Sequence, residues 1–385
     1  MKKQMKIGLL GYGVVGKGVY NIVDAYCPDL EVKYVLVRSP KEELGEKAIT
    51  DFNIMLNDPE VDIVVEAMGG LSPAYEYVHA ALEAGKNVVS SNKQLVSYYY
   101  DELAGLAMEK KVALRCTAAV GGGIPWLTAI ERGRRANRVI GISGIMNGTT
   151  NYILDAMYYN NSDFDEVLKK AQELGYAEAD PSADIDGLDI QRKCVISANV
   201  AFGVSIPEEE VPVFGIRRIK ACDIEAAKGL GKTCKMLAIA KQTKEDKVIA
   251  YVEPVFLPQD SLEASVHDNF NLITLEGEYS GVQSFFGQGA GRYPTAYNVV
   301  EDCADLLHGI DDFYTDIIEP KHVDNSNELH PYYIRGIKNP ETVKALKVIN
   351  CGEGFISKPI SVVEAHALAE SQGDGEIFLA GILED

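Results

Sequence analysis

A glycine-rich turn near the start of the chain constrains the fold more than any other feature. Residues 11–16 read G-x-G-x-x-G, between an apolar run at residues 6–10 and a stretch with helical spacing. The first glycine permits a tight turn, the second lets the backbone approach a pyrophosphate, and the third lets the helix pack on the strand. The pattern predicts a strand–turn–helix unit that holds a dinucleotide at the helix N-terminus.

The first third of the chain alternates short apolar runs with amphipathic stretches. The predicted strands are residues 6–10, 32–37, 62–67, 87–89 and 112–115, and the predicted helices are residues 74–84 and 98–110. This alternation with short loops favours a mostly parallel sheet that is covered on both faces. We therefore assign the α/β class, with a Rossmann-type NAD(P)-binding domain at the N-terminus.

The middle and the end of the chain show a different pattern. The predicted strands there are residues 139–146, 248–256, 272–277 and 332–337, and the predicted helices are residues 164–174, 188–202 and 341–348. Residues 147–150 read as a turn into a further helix, and residues 308–330 as a polar, acidic linker. Residues 176–187 are also polar and acidic, and they directly precede the long helix predicted at 188–202.

Acidic residues outnumber basic ones in this chain of 385 residues, 57 to 37, which gives a net charge of −20. Nucleic acids and anionic membranes reward clustered Lys and Arg, so we expect neither as a partner. The N-terminal apolar run is interrupted by glycines and Lys17, so we expect neither a signal peptide nor a membrane span. Seven cysteines without a C-x-x-C pattern are typical of a reducing cytoplasm and indicate no disulfide framework or zinc site.

The end of the second predicted strand bears on the choice of cofactor. NAD-preferring sites usually place Asp or Glu there, where the carboxylate accepts a hydrogen bond from the ribose 2′-hydroxyl. Here Arg38 stands at that place, with Lys41 nearby. A guanidinium can hold a 2′-phosphate through charge-assisted hydrogen bonds, so the sequence favours NADP(H) over NAD(H). The alternative is a solvated basic residue at a strand end.

An unusual number of carboxylates precedes Lys193. Such a cluster is costly unless it meets cations, which could be a metal, an ammonium group or the protein's own lysines. Asp189 and Lys193 are four residues apart and share one face of a helix. An apolar stretch follows, which suggests a buried helix whose lysine could donate a proton to a carbonyl. The alternative is a surface ion pair worth about 0.3–0.5 kcal/mol.

The residues around this cluster resemble the signature of the homoserine dehydrogenases. The matching residues are Ala171, Gly175, Tyr176, Ala177, Asp180, Pro181, Asp184, Ile185, Gly187, Asp189 and Lys193. Supporting segments occur in the family's order: the glycine-rich turn, VVSSNK at 88–93, AAVGGGIP at 118–125, NGTTNYIL at 147–154 and GAGRYPTA at 289–296. The resemblance covers about residues 5–305.

The resemblance implies a reaction and roles for the cluster. Hydride passes between NAD(P)H and the aldehyde of L-aspartate 4-semialdehyde, which interconverts with L-homoserine. Lys193 would donate the proton to the carbonyl oxygen, and Asp189 would orient Lys193 and hold the substrate. Glu178 would take the substrate's ammonium group, and Asp184 would shape the same acidic pocket. Lys93 matches the family's second lysine, near the nicotinamide and the substrate.

The resemblance also implies cofactor residues and a domain arrangement. The cofactor residues are Gly11, Tyr12, Gly13, Val14, Val15, Gly16, Arg38, Gly69, Ser91, Lys93, Gly175 and Gly291. We expect an NAD(P)-binding domain at 1–138 with a return segment at about 286–306. An α+β substrate and dimerisation domain would follow at 139–310, and a short ACT-like tail at 325–385. The partners are then a small amino-acid substrate and further copies of the chain, as a homodimer or homotetramer.

The sequence departs from the family in two places. The family's monovalent cation uses a Glu side chain and backbone carbonyls, here those of Val120, Gly122 and Ile124. Thr117 stands where that Glu is expected, so we expect activity to be nearly indifferent to sodium and potassium. The tail is also too short for a full β-α-β-β-α-β unit, so we expect no strong inhibition by threonine.

Two other functions are compatible with parts of the sequence. An aspartate-semialdehyde dehydrogenase would acylate a cysteine, for which the Arg115-Cys116-Thr117 segment is the one tempting site. A non-catalytic sensor would bind NADP(H) in the first domain and an amino acid in the tail. A sensor has no need of a lysine placed to protonate a carbonyl, so Lys193 discriminates against it.

Overall fold

A computed structural model describes residues 4–310, 313, 318–337, 350–351, 354–371 and 377–384 of the chain. The helix predicted at 341–348 lies outside these residues. The chain divides into two compact units, of which the first comprises Met1–Ala136, Asn199–Ser205 and Gly287–Pro320. The second comprises Asn137–Ala198, Ile206–Phe286 and Lys321–Asp385. The predicted division differs at residues 199–205 and 307–310, which belong to the first unit, and in the tail, which belongs to the second.

The helices and strands are numbered along the chain. Up to residue 136 they are β1 (Met5–Leu10), α1 (Val14–Tyr26), β2 (Leu30–Leu36), β3 (Ala48–Ile49), α2 (Phe52–Leu56), β4 (Ile63–Glu66), α3 (Ala74–Glu83), β5 (Asn87–Ser90), α4 (Lys93–Tyr98), α5 (Tyr100–Lys110), β6 (Leu114–Arg115) and α6 (Trp126–Arg134). They continue with β7 (Val139–Ile145), α7 (Gly148–Asn160), α8 (Phe164–Glu173), α9 (Ser182–Ile185), α10 (Leu188–Phe202), β8 (Val204–Ser205), α11 (Ala221–Gly229), β9 (Lys232–Gln242), β10 (Val248–Pro258), β11 (Phe270–Gly277) and β12 (Gly281–Gln288).

The remaining elements lie after residue 288. They are α12 (Arg292–Leu307), β13 (Glu319–Pro320), β14 (Leu329–His330), β15 (Tyr332–Arg335), β16 (Asn350–Cys351), β17 (Gly354–Ile356), β18 (Ile360–Ser361), α13 (Val362–Ser371) and β19 (Phe378–Ile382). Within the ranges that the structure describes, no helix is both long and apolar enough to cross a membrane.

The first unit is built on a six-stranded parallel sheet. Its strand order is β3-β2-β1-β4-β5-β6, the doubly wound order of dinucleotide-binding domains. The strand β4 reads IVVE and is buried along its whole length, as expected of a strand covered on both faces. The α/β class and the Rossmann-type sheet are thus confirmed.

A helix from late in the chain completes the first unit. The helix α12 packs against α1, and its apolar residues, including Val299 and Cys303, join the core formed by Ile7 and Val19. The contact is close at Gly18, where an added Cβ would lie 2.7 Å from the Cβ of Ala296. A side chain at position 18 would therefore push the two helices apart.

The second unit is built on a nine-stranded mixed sheet. Its order is β12-β11-β7-β9-β10-β19-β15-β17-β16, and the described pairs are antiparallel except β10 with β19. The long strands β9 and β10 pair over 11 residues and are buried on both faces. Burial on both faces removes the alternation of polar and apolar residues from both strands. The strand β10 was nevertheless predicted from its apolar, β-branched sequence VIAYV, whereas β9 was missed because lysines at positions 232, 235 and 241 interrupt its apolar residues.

The tail is tied to this sheet by a buried carboxylate. Glu253 on β10 is 0% exposed, and its oxygens lie 3.1 Å from His330 Nε2 and 2.9 Å from His366 Nε2. The Tyr332 hydroxyl donates to the same carboxylate at 3.2 Å. Of the described tail strands, β15, β16, β17 and β19 extend the second unit's sheet, whereas β14 and β18 pair with each other in a separate two-stranded sheet. The ACT-like character of the tail stays a prediction.

Candidate active site

Two of the three glycines in the turn after β1 are required by the protein's own backbone conformation and packing, whereas the third has open space around it. Gly11 has φ +93°, a conformation that favours glycine, and an added Cβ on Gly16 would lie 2.2 Å from the Gly11 carbonyl oxygen. At Gly13 an added Cβ would meet no atom within 4 Å. The protein's own packing therefore requires glycine at 11 and 16, whereas at 13 the open space suits a ligand that approaches the backbone.

A cavity of about 690 Å³ lies beside this turn, in the size range of small-molecule sites. Its lining includes Gly11, Tyr12, Gly13, Arg38, Ser39, Lys41, Thr50, Met68, Gly69 and Tyr77. Arg38 is exposed and lies two residues beyond the end of β2, as the sequence predicts. The cavity thus brings together four of the predicted cofactor positions and Arg38. Ser39, Thr50 and Tyr77 carry no motif and were missed.

The other predicted residues of this turn do not line the cavity. Val14 is 59% exposed at the first position of α1, whereas Val15 is half-buried and packs against the core. Their contribution to the shape of the turn stays a prediction.

A buried glutamate shapes the loop that follows β4. Glu66 is 0% exposed, and its Oε1 accepts from the backbone N–H groups of Met68 at 2.8 Å and Gly69 at 3.1 Å. Its Oε2 accepts from the Ser90 hydroxyl at 2.6 Å. Gly69 has φ +77° and lies where this loop reaches the cavity. Glu66 was not among the predicted site residues, although an acidic residue at the end of an apolar strand is a signal that the sequence contains.

Ser91 and Lys93 follow the neighbouring strand, β5. The Ser91 hydroxyl donates to the Glu66 carbonyl oxygen at 3.3 Å, and Lys93 is the first, half-buried residue of α4. The Asn92 side chain caps that helix by accepting from the Leu95 N–H at 3.2 Å. Because β4 and β5 are parallel, these residues lie at the same edge of the sheet as Gly69.

A buried ion pair stands at the centre of the predicted catalytic cluster in the second unit. Lys193 Nζ donates to Asp189 Oδ2 at 2.8 Å and to the Met146 carbonyl oxygen at 2.6 Å. Lys193 is 7% exposed and Asp189 is 2% exposed. The two residues lie one turn apart on α10, as their spacing predicts, but the surface ion pair considered as the alternative is wrong because both are buried.

Asn147 joins this pair to a second carboxylate. Its Nδ2 donates to Asp184 Oδ1 and to Asp189 Oδ2, both at 2.7 Å. Its Oδ1 accepts from the Thr150 N–H at 2.8 Å and so caps α7. Burial, and then the charge of Asp189, raise the pKa of Asp184 above the ordinary value of an aspartate. In the sequence Asn147 stands out only as part of the NGTTNYIL motif, and its position at the start of a predicted helix was the signal for its capping role.

Two further predicted residues of the second unit lie at its surface. Glu178 is exposed, and its carbonyl oxygen accepts from Gln172 Nε2 at 3.0 Å. Gly175 is exposed with φ +75°, just after α8, and an added Cβ there would meet no atom within 4 Å. The structure thus brings Lys193, Asp189 and Asp184 together with Asn147. The roles of Glu178 and Gly175 stay predictions.

The residues predicted for a cation belong to the first unit. Thr117 is 1% exposed, and both its N–H and its hydroxyl donate to Asp302, at 2.8 and 2.7 Å. The carbonyl oxygens of Gly122 and Ile124 accept from one side-chain amide, that of Asn298. Val120 is fully buried, and Gly291 has φ +130° at the start of α12.

Cys116 lacks the properties of a catalytic nucleophile. Its side chain is 2% exposed, and burial raises the pKa of its thiol far above the ordinary value. Acylation requires a thiolate that a substrate can reach. The aspartate-semialdehyde dehydrogenase considered as an alternative is therefore not supported by this residue.

Known proteins resemble the chain over nearly all of its length. A family model described as "Homoserine dehydrogenase" matches residues 125–304, and one described as "Homoserine dehydrogenase, NAD binding domain" matches residues 11–116. The homoserine dehydrogenase of Bacillus subtilis (strain 168) is 37% identical over 357 residues, 89% of this chain and 80% of the relative. That of Synechocystis sp. is 41% identical over 317 residues, 79% of this chain and 73% of the relative. The crystal structure of a homoserine dehydrogenase from Thiobacillus denitrificans has a TM-score of 0.87 at 30% identity, and the match covers 99% of this chain and 98% of that one.

Proposed function

The chain belongs to the homoserine dehydrogenase family, and we propose that its substrate reacts at the cluster of Lys193, Asp189, Asp184 and Asn147. The family's activity is NAD(P)-dependent oxidoreduction at a CH–OH group, which interconverts L-homoserine and L-aspartate 4-semialdehyde. The proposal is supported by the buried Lys193 side chain, whose Nζ lies 2.8 Å from Asp189 Oδ2. The neutral side-chain amide of Asn147 donates a hydrogen bond to Asp189 and another to Asp184.

Lys193 is the proton donor in this proposal. Bound NAD(P) supplies or accepts the hydride. When the aldehyde is reduced, negative charge develops on its oxygen, and the Lys193 ammonium gives that oxygen a proton. Asp189 holds the ammonium in its charged form and, with the Met146 carbonyl oxygen, sets the direction of the side chain. In the reverse reaction the lysine takes the proton back from the hydroxyl.

The remaining carboxylates suit an amino-acid substrate. Homoserine and aspartate 4-semialdehyde each carry an ammonium group, which an acidic pocket attracts. Asp184 and Glu178 are the acids proposed for this contact. Asn147 donates one hydrogen bond to each of two carboxylates, so it holds Asp184 near Asp189 without adding a positive charge that would compete with the substrate.

An activity assay tests this function directly. The protein is expected to produce reduced nicotinamide from L-homoserine and NADP⁺, which is followed by the absorbance of the reduced cofactor. L-serine, one methylene shorter, serves as the control substrate. A protein that bound NADP(H) without turning over homoserine would be the non-catalytic sensor and would refute the proposal.

We also propose that Arg38 selects NADP(H). The support is an exposed guanidinium at the rim of the cavity, with Lys41 in the same lining. Arg38→Asp should weaken NADPH binding by roughly 10–100-fold, the loss of one or two charge-assisted hydrogen bonds, and should affect NADH far less. Dissociation constants for both cofactors are the measurement. Arg132→Asp, an exposed site on α6 with the same charge change, is the control. Equal losses for both cofactors would show that Arg38 does not discriminate.

The raised pKa of Asp184 predicts the acid side of the pH profile. A carboxyl with a raised pKa takes up its proton at a higher pH than usual, and it then no longer attracts the substrate's ammonium. We expect kcat/KM for homoserine to fall on acidification already above the ordinary range of an aspartate. Asp184→Asn should lower kcat/KM at neutral pH and abolish its fall on acidification. Asp165→Asn, at an exposed site on α8, should leave the pH profile of kcat/KM unchanged. If Asp184→Asn showed the same fall of kcat/KM on acidification as the wild type, another group would be responsible for that fall.

Association into a homodimer or homotetramer and a cytoplasmic location stay predictions. One feature supports association: β12 forms the edge of the nine-stranded sheet and exposes Val282 by 67% and Phe286 by 60%. Exposed apolar side chains on an edge strand favour pairing with a second copy.

A further inference from the structure

The loop at residues 120–124 does not fit the monovalent cation that the family resemblance implies. The cation that the resemblance implies would be bound by carbonyl oxygens with free lone pairs and by a Glu carboxylate. The side chain at position 117 is a threonine whose hydroxyl already donates to Asp302. The Ile124 carbonyl oxygen accepts from the Trp126 N–H at 2.7 Å and from Asn298 Nδ2 at 2.8 Å, which occupies both of its lone pairs.

The side chain of Asn298 lies at the carbonyl oxygens that the resemblance assigns to the cation. It is 0% exposed on α12, and its Nδ2 donates to the Gly122 carbonyl oxygen at 2.6 Å as well as to that of Ile124. One nitrogen atom thus lies between two of the three carbonyls expected to bind the ion, in the space that the ion would need. An NH₂ group offers two N–H donors, so it satisfies both oxygens without carrying a net charge.

The orientation of the amide follows from the same contacts. The reverse orientation would place Oδ1 against two carbonyl oxygens and leave three acceptors facing one another without a donor. In the observed orientation Oδ1 is buried and has no hydrogen-bond partner among the described residues. Two well-made hydrogen bonds therefore outweigh one unsatisfied acceptor.

The loop that Asn298 holds is packed against the backbone near Gly291. Gly122 has φ +54°, and an added Cβ would lie 2.5–2.7 Å from backbone atoms of Gly289 and Ala290. The Gly123 N–H donates to the Gln288 carbonyl oxygen at 3.0 Å. Whatever satisfies the carbonyls of Gly122 and Ile124 therefore also positions the turn that contains Gly291, one of the proposed cofactor residues.

We propose that the side-chain amide of Asn298 takes the place of the monovalent cation in this enzyme. Asn298 is then a positioning residue that holds the 120–124 loop by hydrogen bonds instead of ion coordination. The wild-type protein should need neither sodium nor potassium for stability or for activity. This inference does not depend on the role of Lys193, because it can be tested by melting the protein without substrate.

Asn298→Asp is the most informative variant, because it keeps the shape of the side chain and replaces the NH₂ group by an oxygen. A carboxylate oxygen facing two carbonyls is repulsive without an ion, but with an ion it completes a set of oxygen ligands. The melting temperature is followed by the fluorescence of Trp126, the single tryptophan of the chain, which is buried in the first unit. Melts are compared in NaCl, KCl and tetramethylammonium chloride at equal ionic strength, since tetramethylammonium is too large for the loop.

Three results are expected. The wild type melts at the same temperature in all three salts, and its kcat does not change. Asn298→Asp melts several degrees lower in tetramethylammonium and recovers in NaCl or KCl in a saturable manner. Asn87→Asp, whose amide donates to the single Asp62 carbonyl oxygen in the same unit, shows no such recovery.

Two results would overturn the proposal. One is saturable stabilisation or activation of the wild type by sodium or potassium over tetramethylammonium. The other is an Asn298→Ala variant with wild-type melting and wild-type NADPH affinity in tetramethylammonium, which would show that the loop needs neither amide nor ion. If Asn298→Asp does not fold in any salt, the wild-type and Asn298→Ala results decide between the two outcomes.

Discussion

Replacing Lys193 with alanine is expected to lower kcat by about 10²–10⁴-fold, the usual range for a positioned acid or base. Hydride addition to an aldehyde leaves charge on oxygen, and without the ammonium that charge is stabilised only by water or weaker donors. NADPH affinity should be nearly unchanged, because the dinucleotide turn and its cavity belong to the first unit and Lys193 to the second. Steady-state kinetics in both directions and a binding titration with NADPH are the measurements.

Three comparisons separate the proton-donor role from a structural one. Asp189→Asn should keep the shape of the site, lose part of the rate and weaken homoserine binding. Lys170→Ala, an exposed lysine on α8, should leave kcat unchanged. Small primary amines added to Lys193→Ala should restore part of kcat, which lost packing would not explain. A Lys193→Ala enzyme with wild-type kcat would refute the role, and Lys93 would become the next candidate.

Replacing Arg115 with alanine is expected to destabilise the first unit by about 3–5 kcal/mol, the usual cost of leaving a buried charge without its partner. Arg115 Nε donates to Asp302 Oδ1 at 3.1 Å, and its Nη2 donates to Asp305 Oδ2 at 2.7 Å. Arg115 and Asp302 are both 0% exposed, so water cannot replace the lost cation. Thr117 would remain as a neutral donor to Asp302, which compensates only in part.

The stability lost in Arg115→Ala is expected to depend on pH, because Arg115 affects the pKa of Asp302. Burial already raises the pKa of Asp302 to about 6, against the opposing effect of Arg115, and removing Arg115 raises it further. A carboxyl whose pKa is raised in the folded state favours folding below its unfolded pKa, and this contribution is lost as the pH rises through the folded value. The deficit of Arg115→Ala should therefore be larger above pH 6 than below it.

Urea unfolding followed by Trp126 fluorescence measures this effect within the first unit. Arg135→Ala is the control, because Arg135 is an exposed residue directly after α6 that pairs with Glu131 on that helix, and pairs with such exposure contribute less than about 1 kcal/mol. The double variant Arg115→Ala, Asp302→Ala should recover part of the loss by removing the stranded carboxylate. Equal stability of Arg115→Ala and wild type at neutral pH would contradict the argument.

The features that the sequence determined by itself are those set by local geometry. The turn at Gly11, Gly13 and Gly16 depends on backbone conformation and on contacts within a few residues, so its spacing was sufficient. The pairing of Asp189 with Lys193 follows from 3.6 residues per helical turn. The parallel sheet of the first unit followed from alternating short strands and helices, because a crossover helix is what parallel neighbours require.

Only the tertiary structure decided the contacts between residues far apart in the chain. Asn147 meets Asp184 and Asp189 across 37 and 42 positions, and Asn298 meets Gly122 across 176. No periodicity encodes such pairs, since they arise from how helices and loops pack rather than from spacing. Burial was decided at the same level: Lys193 and Asp189 form a pair that their spacing alone could place at the surface, and packing excludes water from it. For the same reason, a threonine at position 117 indicated that the expected carboxylate was missing, but only the packed position of α12 revealed that Asn298 lies between the carbonyl oxygens of Gly122 and Ile124.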